Sequence, residues 1–383
     1  MTEQAHDEDM DGVNPRLVEL IGSHIQQAGG SIPFAHYMEL VLYHPEFGYY
    51  THSRKRIGKE GDFITSVSIG PCFGKLLARH LASPLCRIAG SCEDLVLVEP
   101  GAEEGHLAID VMRELEQVLP DSVYNRLSYV AIEPFARKKT RLLDTFKTED
   151  AGRFRVVSGW HELKGSSGVL MANEFLDAMP IERLRLRGGE WFRICVAGGN
   201  HQLPRFHEVE VPIRDPELAG LARALPDGLE DGFTIELNTG LEEWFNDLVD
   251  HFSMLHCCLI DYGLCEGEVF SPSRKAGTLR GYSRHRVEEC PFAAPGITDL
   301  TAHVDFDRVR ESAETAGFEI LDLTDQHRFL VNAARSWLLE IERSGSVDEG
   351  ERQLLNQFQT LSHPTMMGGV FKVLEMSRGV PGP

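Results

Sequence analysis

Three stretches of the sequence place chemistry-bearing residues where an apolar run gives way to glycine or to acidic side chains. The first is VEPGAEEG, Val98 to Gly105, with Glu99 at its edge. A backbone turning through Gly101 and Gly105 can approach a ligand closely, and a helix beginning after Gly105 offers free N–H groups to an anion. The second is Glu133, the last residue of SYVAIE, where a carboxylate can accept both hydroxyls of a ribose. The third is NEFLDAMP, in which Asn173, Glu174 and Asp177 follow another apolar run. Two carboxylates three residues apart can face one ligand. Each stretch has a plainer reading as well: an ordinary strand-to-helix turn, a surface glutamate, a helix start at Asp177. The turn does not match GxGxxG, which speaks against a dinucleotide fingerprint. His303-x-Asp305 has a spacing that can hold a metal, but no further ligand accompanies it. Ordinary hydrogen bonding for the histidine, and no metal, is the expectation.

These residues need elements to hold them, and the pattern supplies strands and helices in alternation. Strands are expected at Asp94 to Glu99, Ser128 to Glu133, Arg153 to Val157 and Gly168 to Asn173, with helices at Gly105 to Leu119 and from Ala136 to about Lys147. This β-α-β-α order predicts an α/β fold with a doubly wound, mostly parallel sheet, whose strand C-termini share one edge. Upstream lies an N-terminal helical extension, with helices near Pro15 to Ala28, Pro33 to Tyr43 and Pro71 to Leu85. Downstream, Arg183 to Val196 and Phe206 to Val211 read as an inserted hairpin. A strand at Phe233 to Leu237, a helix near Leu241 to His251 and a strand at Met254 to Asp261 return to the α/β pattern. Helices are expected at Val304–Ala316 and Phe329–Ile341, and a late strand at Val370–Leu374. The resulting division is an acidic, disordered tail over 1–12 and a cap segment over 13–90. The core follows over 91–383, with insertions at about 182–232 and 264–302.

Composition narrows the function classes. The net charge is -21, which argues against nucleic acid as a partner, because phosphate binding needs a basic surface; an acidic surface suits a basic protein partner or simply keeps the chain in solution. The basic runs Arg54–Arg56 and Arg137–Lys139 read as solvated faces. There is no apolar run of membrane-spanning length, so no membrane association is expected. The opening MTEQAHDEDMDG is acidic and polar, unlike a secretory or transit segment, which predicts a cytoplasmic protein. Eight scattered cysteines without a CxxC pair suit a reducing compartment and argue against zinc. The oligomeric state is not legible.

Taken jointly, the motifs HPEFGYY, IGKEGDFITS, the glycine turn, NEFLDAMP, IDYG, GTLRGYSRH, PGITDLTAHVDF and MMGGVFKVL span His44 to Leu374 in order. This chain resembles the MidA-type family, once a domain of unknown function, which includes a mitochondrial complex I assembly factor that methylates a protein arginine. The resemblance implies a Rossmann-like fold of the S-adenosylmethionine (SAM) methyltransferase kind, with SAM as cofactor. It implies that Gly61, Asp62 and Phe63 border the cofactor, alongside Glu99, Gly101, Gly105 and Glu133. It implies that the NEF segment borders the same site; side-chain chemistry, apart from the resemblance, assigns Asn173, Glu174 and Asp177 to the reacting end, with Glu174, joined by Asp177, gripping a guanidinium and His285 or His303 assisting proton removal.

One departure bears on the cofactor. The family's turn resembles E-x-G-x-G-x-G, and here Glu103 stands at the middle glycine. A left-handed backbone there costs a side chain roughly 1–2 kcal/mol. Its carboxylate at about 4 Å from that of SAM would add repulsion of roughly 4 kcal/mol at an effective dielectric near 20. Alternatively, Glu103 pairs with the SAM ammonium or points to solvent. Lys138, Lys139 and Leu142 also replace a leucine-arginine pair and a glutamine. Three readings follow: a protein-arginine methyltransferase, a methyltransferase-fold protein that serves assembly without catalysis, and an enzyme methylating a small molecule or another side chain.

Overall fold

Short aliphatic runs, buried on both faces, build the central sheet of this protein. In Leu95–Pro100 the four aliphatic residues are at most 5% exposed, as expected of a parallel strand covered by helices on each side. The computed structural model describes residues 13–51, 65–149, 152–198, 205–283, 286–288 and 290–382. These fall into two units. One holds the described residues within Arg56–Leu176, Glu242–Gly263 and Arg308–Pro383; the other holds those within Met1–Lys55, Asp177–Leu241 and Leu264–Asp307.

The strands of the first unit are β1 (Leu95–Pro100), β2 (Leu127–Ile132), β3 (Phe154–Val157), β4 (Ser166–Asn173), β5 (Phe252–Leu264), β6 (Glu319–Asp325) and β7 (Phe371–Arg378). Their order across the sheet is 3-2-1-4-5-7-6. Strands β1 to β5 run parallel, and β7 is antiparallel to both β5 and β6. The order reverses between β1 and β4, and a doubly wound sheet binds its ligands at such a point, beyond the strand C-termini.

Helices α1 (Cys72–Ala89), α2 (His106–Val118), α3 (Ala136–Phe146), α4 (Leu241–His251), α5 (Gln326–Ser344) and α6 (Glu349–Ser362) belong with this sheet. Gly74, in the Phe73–Gly74 pair that accompanies GDFITS, lets α1 lie close on α2: a Cβ there would stand 2.6 Å from Asp110 Cβ. Sequence periodicity does not reveal β6 or α6. Strand β6 lacks a fully buried residue, so it carries no apolar run. The signal for α6 is its start, where Asp348 and Glu351 form a capping box.

The second unit is built on an antiparallel sheet. Glu182–Arg187, Glu190–Gly198 and Phe206–Pro212 form the hairpin expected from the sequence, extended by Ser31–Pro33 and Thr234–Leu237. Helices Pro15–Gln27 and Phe34–Tyr43 contribute to its core through Leu17, Ile21, Tyr37 and Met38. A small three-stranded sheet joins Arg280–Ser283, Arg286–Glu288 and Asp299–Thr301. The GTLRGYSRH and PGITDLTAHVDF motifs act here. Buried Glu236 accepts from Thr278 N at 2.7 Å, and Tyr50 Oη donates to Asp299 Oδ1 at 2.9 Å while stacking on Tyr43. Among the described residues no helix is long and apolar enough to cross a membrane.

Candidate active site

The C-terminal edge of β1, β2, β4 and β5 gathers most of the residues singled out by chemistry. The parallel register sets Glu99 beside Ala131 and Pro100 beside Ile132, and Gly101 N donates to Ile132 O at 3.3 Å. Glu133 therefore emerges next to the glycine turn. Gly101 has φ 70° and Gly105 φ 79°, both left-handed. Gly105 also lies hard against α3: a Cβ there would come within 2.7 Å of Phe146 Cε1. An added Gly101 Cβ would sit 3.4 Å from Phe175 Cδ2, so the glycine turn meets the NEF segment.

Glu103 has a left-handed backbone, with φ 48°. Its carboxylate has a partner within the chain that the sequence did not suggest. Glu103 Oε1 accepts from Lys138 Nζ at 2.9 Å, and Lys138 Nζ lies 3.4 Å from Glu133 Oε2. The side chain of Lys138 is only 13% exposed, so the Arg137–Lys139 run is not uniformly a solvated face. Burial raises the Glu133 carboxyl above its ordinary range, while Lys138 and a hydrogen bond from Phe135 N at 2.9 Å pull it back.

The NEF turn is held by groups distant in sequence. Asp261, at the IDYG strand end, accepts from Phe175 N at 3.0 Å and Leu176 N at 2.8 Å through one oxygen, and from Tyr262 N at 2.9 Å through the other. Glu174 has φ 51°, an uncommon backbone for a side-chain-bearing residue that calls for such external support. Its Oε1 accepts from Ser66 N and from Asn173 Nδ2, each at 3.3 Å. Ser66 ends the GDFITS motif, so this bond joins two motifs separated by 108 residues. Asn173 Oδ1 is buried with no hydrogen-bond partner among the described residues. A buried acceptor left in that state is costly unless a ligand group reaches it.

Glu99 is buried and faces Tyr129, whose hydroxyl donates to Glu99 Oε2. Burial pushes its carboxyl up to about 7 despite the opposing Tyr129 bond. Between 4.5, the ordinary value, and about 7 the native state holds a proton that the unfolded chain has released. Stability conferred by this group is therefore present below that window and lost as pH rises through it. Glu99→Gln, which cannot ionise, should gain up to about 3 kcal/mol relative to the natural protein between pH 5 and pH 8. Urea denaturation at the two pH values checks this; a constant difference would mean that Glu99 titrates ordinarily.

Other expected site residues are placed differently. Gly61, Asp62, Phe63 and His285 lie outside the described residues, as does the N-terminal tail. Asp177 does not start a helix: it sits in a turn of the second unit, where its carbonyl accepts from Ala302 N at 3.1 Å. The local pairing of Glu174 with Asp177 is thus divided between two units. His303 also belongs to the second unit, where its N–H donates to Thr278 Oγ1 at 3.2 Å. Burial, then Arg274 and Arg280, lower its ring to about 4, which keeps it neutral at pH 7. Among the described residues no group of three or more His, Cys, Asp or Glu is arranged to hold a metal. Two residues that sequence reasoning did not credit are Asp261 and Lys138; the IDYG strand end was the available signal for the first.

The donor set suits SAM. A left-handed glycine turn ahead of a helix N-terminus, an acidic strand end beside it and an unsatisfied Asn173 oxygen fit a nucleoside carrying an amino acid tail. Comparison with known proteins agrees. A family model described as "Putative S-adenosyl-L-methionine-dependent methyltransferase" matches residues 76–324. The mitochondrial protein arginine methyltransferase NDUFAF7 homolog of Drosophila melanogaster is 31% identical over 92% of this chain and 82% of its own length. Human mitochondrial protein arginine methyltransferase NDUFAF7 is 27% identical, over 89% of this chain and 79% of its own. A Burkholderia thailandensis crystal structure bound to S-adenosyl-homocysteine superposes with TM-score 0.83 at 29% identity, covering 96% of this chain and 93% of that one. The curated relatives are named mitochondrial, which overturns the expectation of a cytoplasmic protein drawn from the acidic N-terminus.

Proposed function

Because the chain belongs to the MidA-type family of SAM-dependent methyltransferases, we propose that it methylates an arginine side chain of a partner protein, with Asn173 and Glu174 at the reacting end. The observation that carries this reading is the placement of Glu174. Its carboxylate is fixed by Ser66 N and Asn173 Nδ2 at the strand edge that also bears the glycine turn and Glu133. A carboxylate accepts only, and it matches the planar, permanently charged guanidinium fork. The relatives named protein arginine methyltransferases support the same substrate class.

SAM supplies an electrophilic methyl group on a sulfonium. The chain's own residues then have three tasks. Gly101, Gly105 and Glu133 hold the cofactor, at the end of the strand that carries Glu99. Asn173 directs its buried Oδ1 toward the reacting end. Glu174 would orient one guanidinium nitrogen toward the methyl group that SAM supplies, so that donor and acceptor are aligned for in-line transfer. The nitrogen's surplus proton leaves to the neighbouring carboxylate or to water. Glu103, the residue that favours a non-catalytic reading in the sequence, is engaged by Lys138, and no observation favours that reading further.

Glu174→Gln keeps the shape and removes the charge. Methyl transfer to arginine-containing proteins should fall by roughly 100-fold, while S-adenosylhomocysteine affinity changes less than about 3-fold. Single-turnover methylation and calorimetry measure the two quantities. Full turnover in a cofactor-binding variant would remove Glu174 from the guanidinium, and label recovered on residues other than arginine would reject the substrate class.

A further inference from the structure

The family departure at Glu103 and the basic residue on α3 are one feature. Glu103 occupies a left-handed position at the cofactor turn, and its carboxylate is not left facing that turn uncompensated. Lys138 Nζ stands 2.9 Å from Glu103 Oε1 and 3.4 Å from Glu133 Oε2. The three side chains are 33%, 13% and 3% exposed in the order Glu103, Lys138, Glu133, so the triplet runs from the surface into the interior. One cation between two carboxylates leaves a single net negative charge. Without it, two like charges would share a partly desolvated corner, where repulsion is much stronger than in water.

We propose that Lys138 is a positioning residue of the cofactor site, neutralising the carboxylate that replaces the turn's middle glycine and holding Glu133 ready for the ribose hydroxyls. The inference rests on the reading that the glycine turn and Glu133 bind the cofactor. Glu103 and Lys138 then form a compensated pair: each is tolerated because of the other. Burial raises the Glu133 carboxyl, and the ammonium of Lys138 opposes that shift, favouring the charged form that accepts from both hydroxyls.

Calorimetric titration of the full chain with S-adenosylhomocysteine tests the proposal. Lys138→Met should weaken binding by about 10–30-fold, because it leaves Glu103 and Glu133 unbalanced. Lys138→Arg, which keeps the charge, should recover all but about 3-fold of that loss. Glu103→Gly, which relieves the left-handed strain, should bind at least as tightly as the natural protein. Adding Glu103→Gly to Lys138→Met should bring affinity back to within about 5-fold of natural, a coupling that a merely structural lysine would not show. Glu133→Gln tests the underlying reading and should weaken binding by about 10-fold or more. Natural affinity in Glu133→Gln overturns both that reading and the proposal. Weakened Glu133→Gln with Lys138→Met within about 3-fold of natural overturns the proposal alone. So does a Lys138→Met loss that persists undiminished in the double variant. If circular dichroism shows Lys138→Met unfolded, Lys138→Gln is titrated in its place and judged by the same outcomes.

Discussion

Asp261→Ala should destabilise the protein by about 3–5 kcal/mol and abolish methyl transfer together with that loss. Asp261 is 1% exposed, and its two oxygens serve Phe175 N, Leu176 N and Tyr262 N. Alanine removes both acceptor oxygens and with them all three bonds, and each buried N–H left unsatisfied costs about 1–3 kcal/mol. The functional consequence follows from Glu174, whose left-handed backbone lies immediately before Phe175. Glu174 N itself donates to Ile260 O at 2.8 Å, so the turn is pinned to β5 on both sides of the strained residue. Asp261→Asn is the informative companion: its amide oxygen can keep the bonds to Phe175 and Leu176, limiting the loss to about 1–2 kcal/mol. Urea denaturation gives the stabilities, and methylation assays well below each midpoint give the activity. An alanine variant of natural stability would show that the turn holds itself.

Gly105→Ala should cost about 2–5 kcal/mol and weaken S-adenosylhomocysteine binding by at least roughly 10-fold. Two penalties combine. The residue has φ 79°, where a Cβ costs about 1–2 kcal/mol. The added methyl would also stand 2.7 Å from Phe146 Cε1 and 3.3 Å from Leu142 Cδ2, both in the apolar core. Phe146 packs within the Tyr129 and Phe154 ring cluster, at centroid distances of 5.7 and 4.6 Å, so it has little room to withdraw. The start of α2 must shift instead, carrying with it the N–H groups that face the proposed ligand. Denaturation and calorimetry on the same preparation measure both effects. Unchanged affinity would mean that the helix start is not part of the cofactor site.

Much of this was readable in the sequence. A strand covered on both faces must be a continuous apolar run, so β1, β2 and β4 announce themselves, and the residue ending each run lies at the functional edge. Glu99, Gly101, Gly105, Glu133, Asn173 and Glu174 were named as candidates in that way, and the order of motifs identified the family. The family resemblance also singled out Glu103 at the turn's middle position; that its backbone is left-handed came from the structure.

Tertiary structure decided the partners. Lys138 reaches Glu103 across 35 residues, Asp261 reaches Leu176 across 85 and Ser66 reaches Glu174 across 108. Periodicity carries no information about contacts at such separations. They depend on strand order, which puts β5 beside β4, and on which face of α3 turns to the glycine loop. The same cause explains Asp177, three residues from Glu174 yet in the other unit, and Glu99, whose carboxyl is turned inward to Tyr129. The sequence alone determined which residues stand at the strand ends, because side-chain type and local period set each element. Packing between elements distant in the chain determined which charges are balanced and which turns are held.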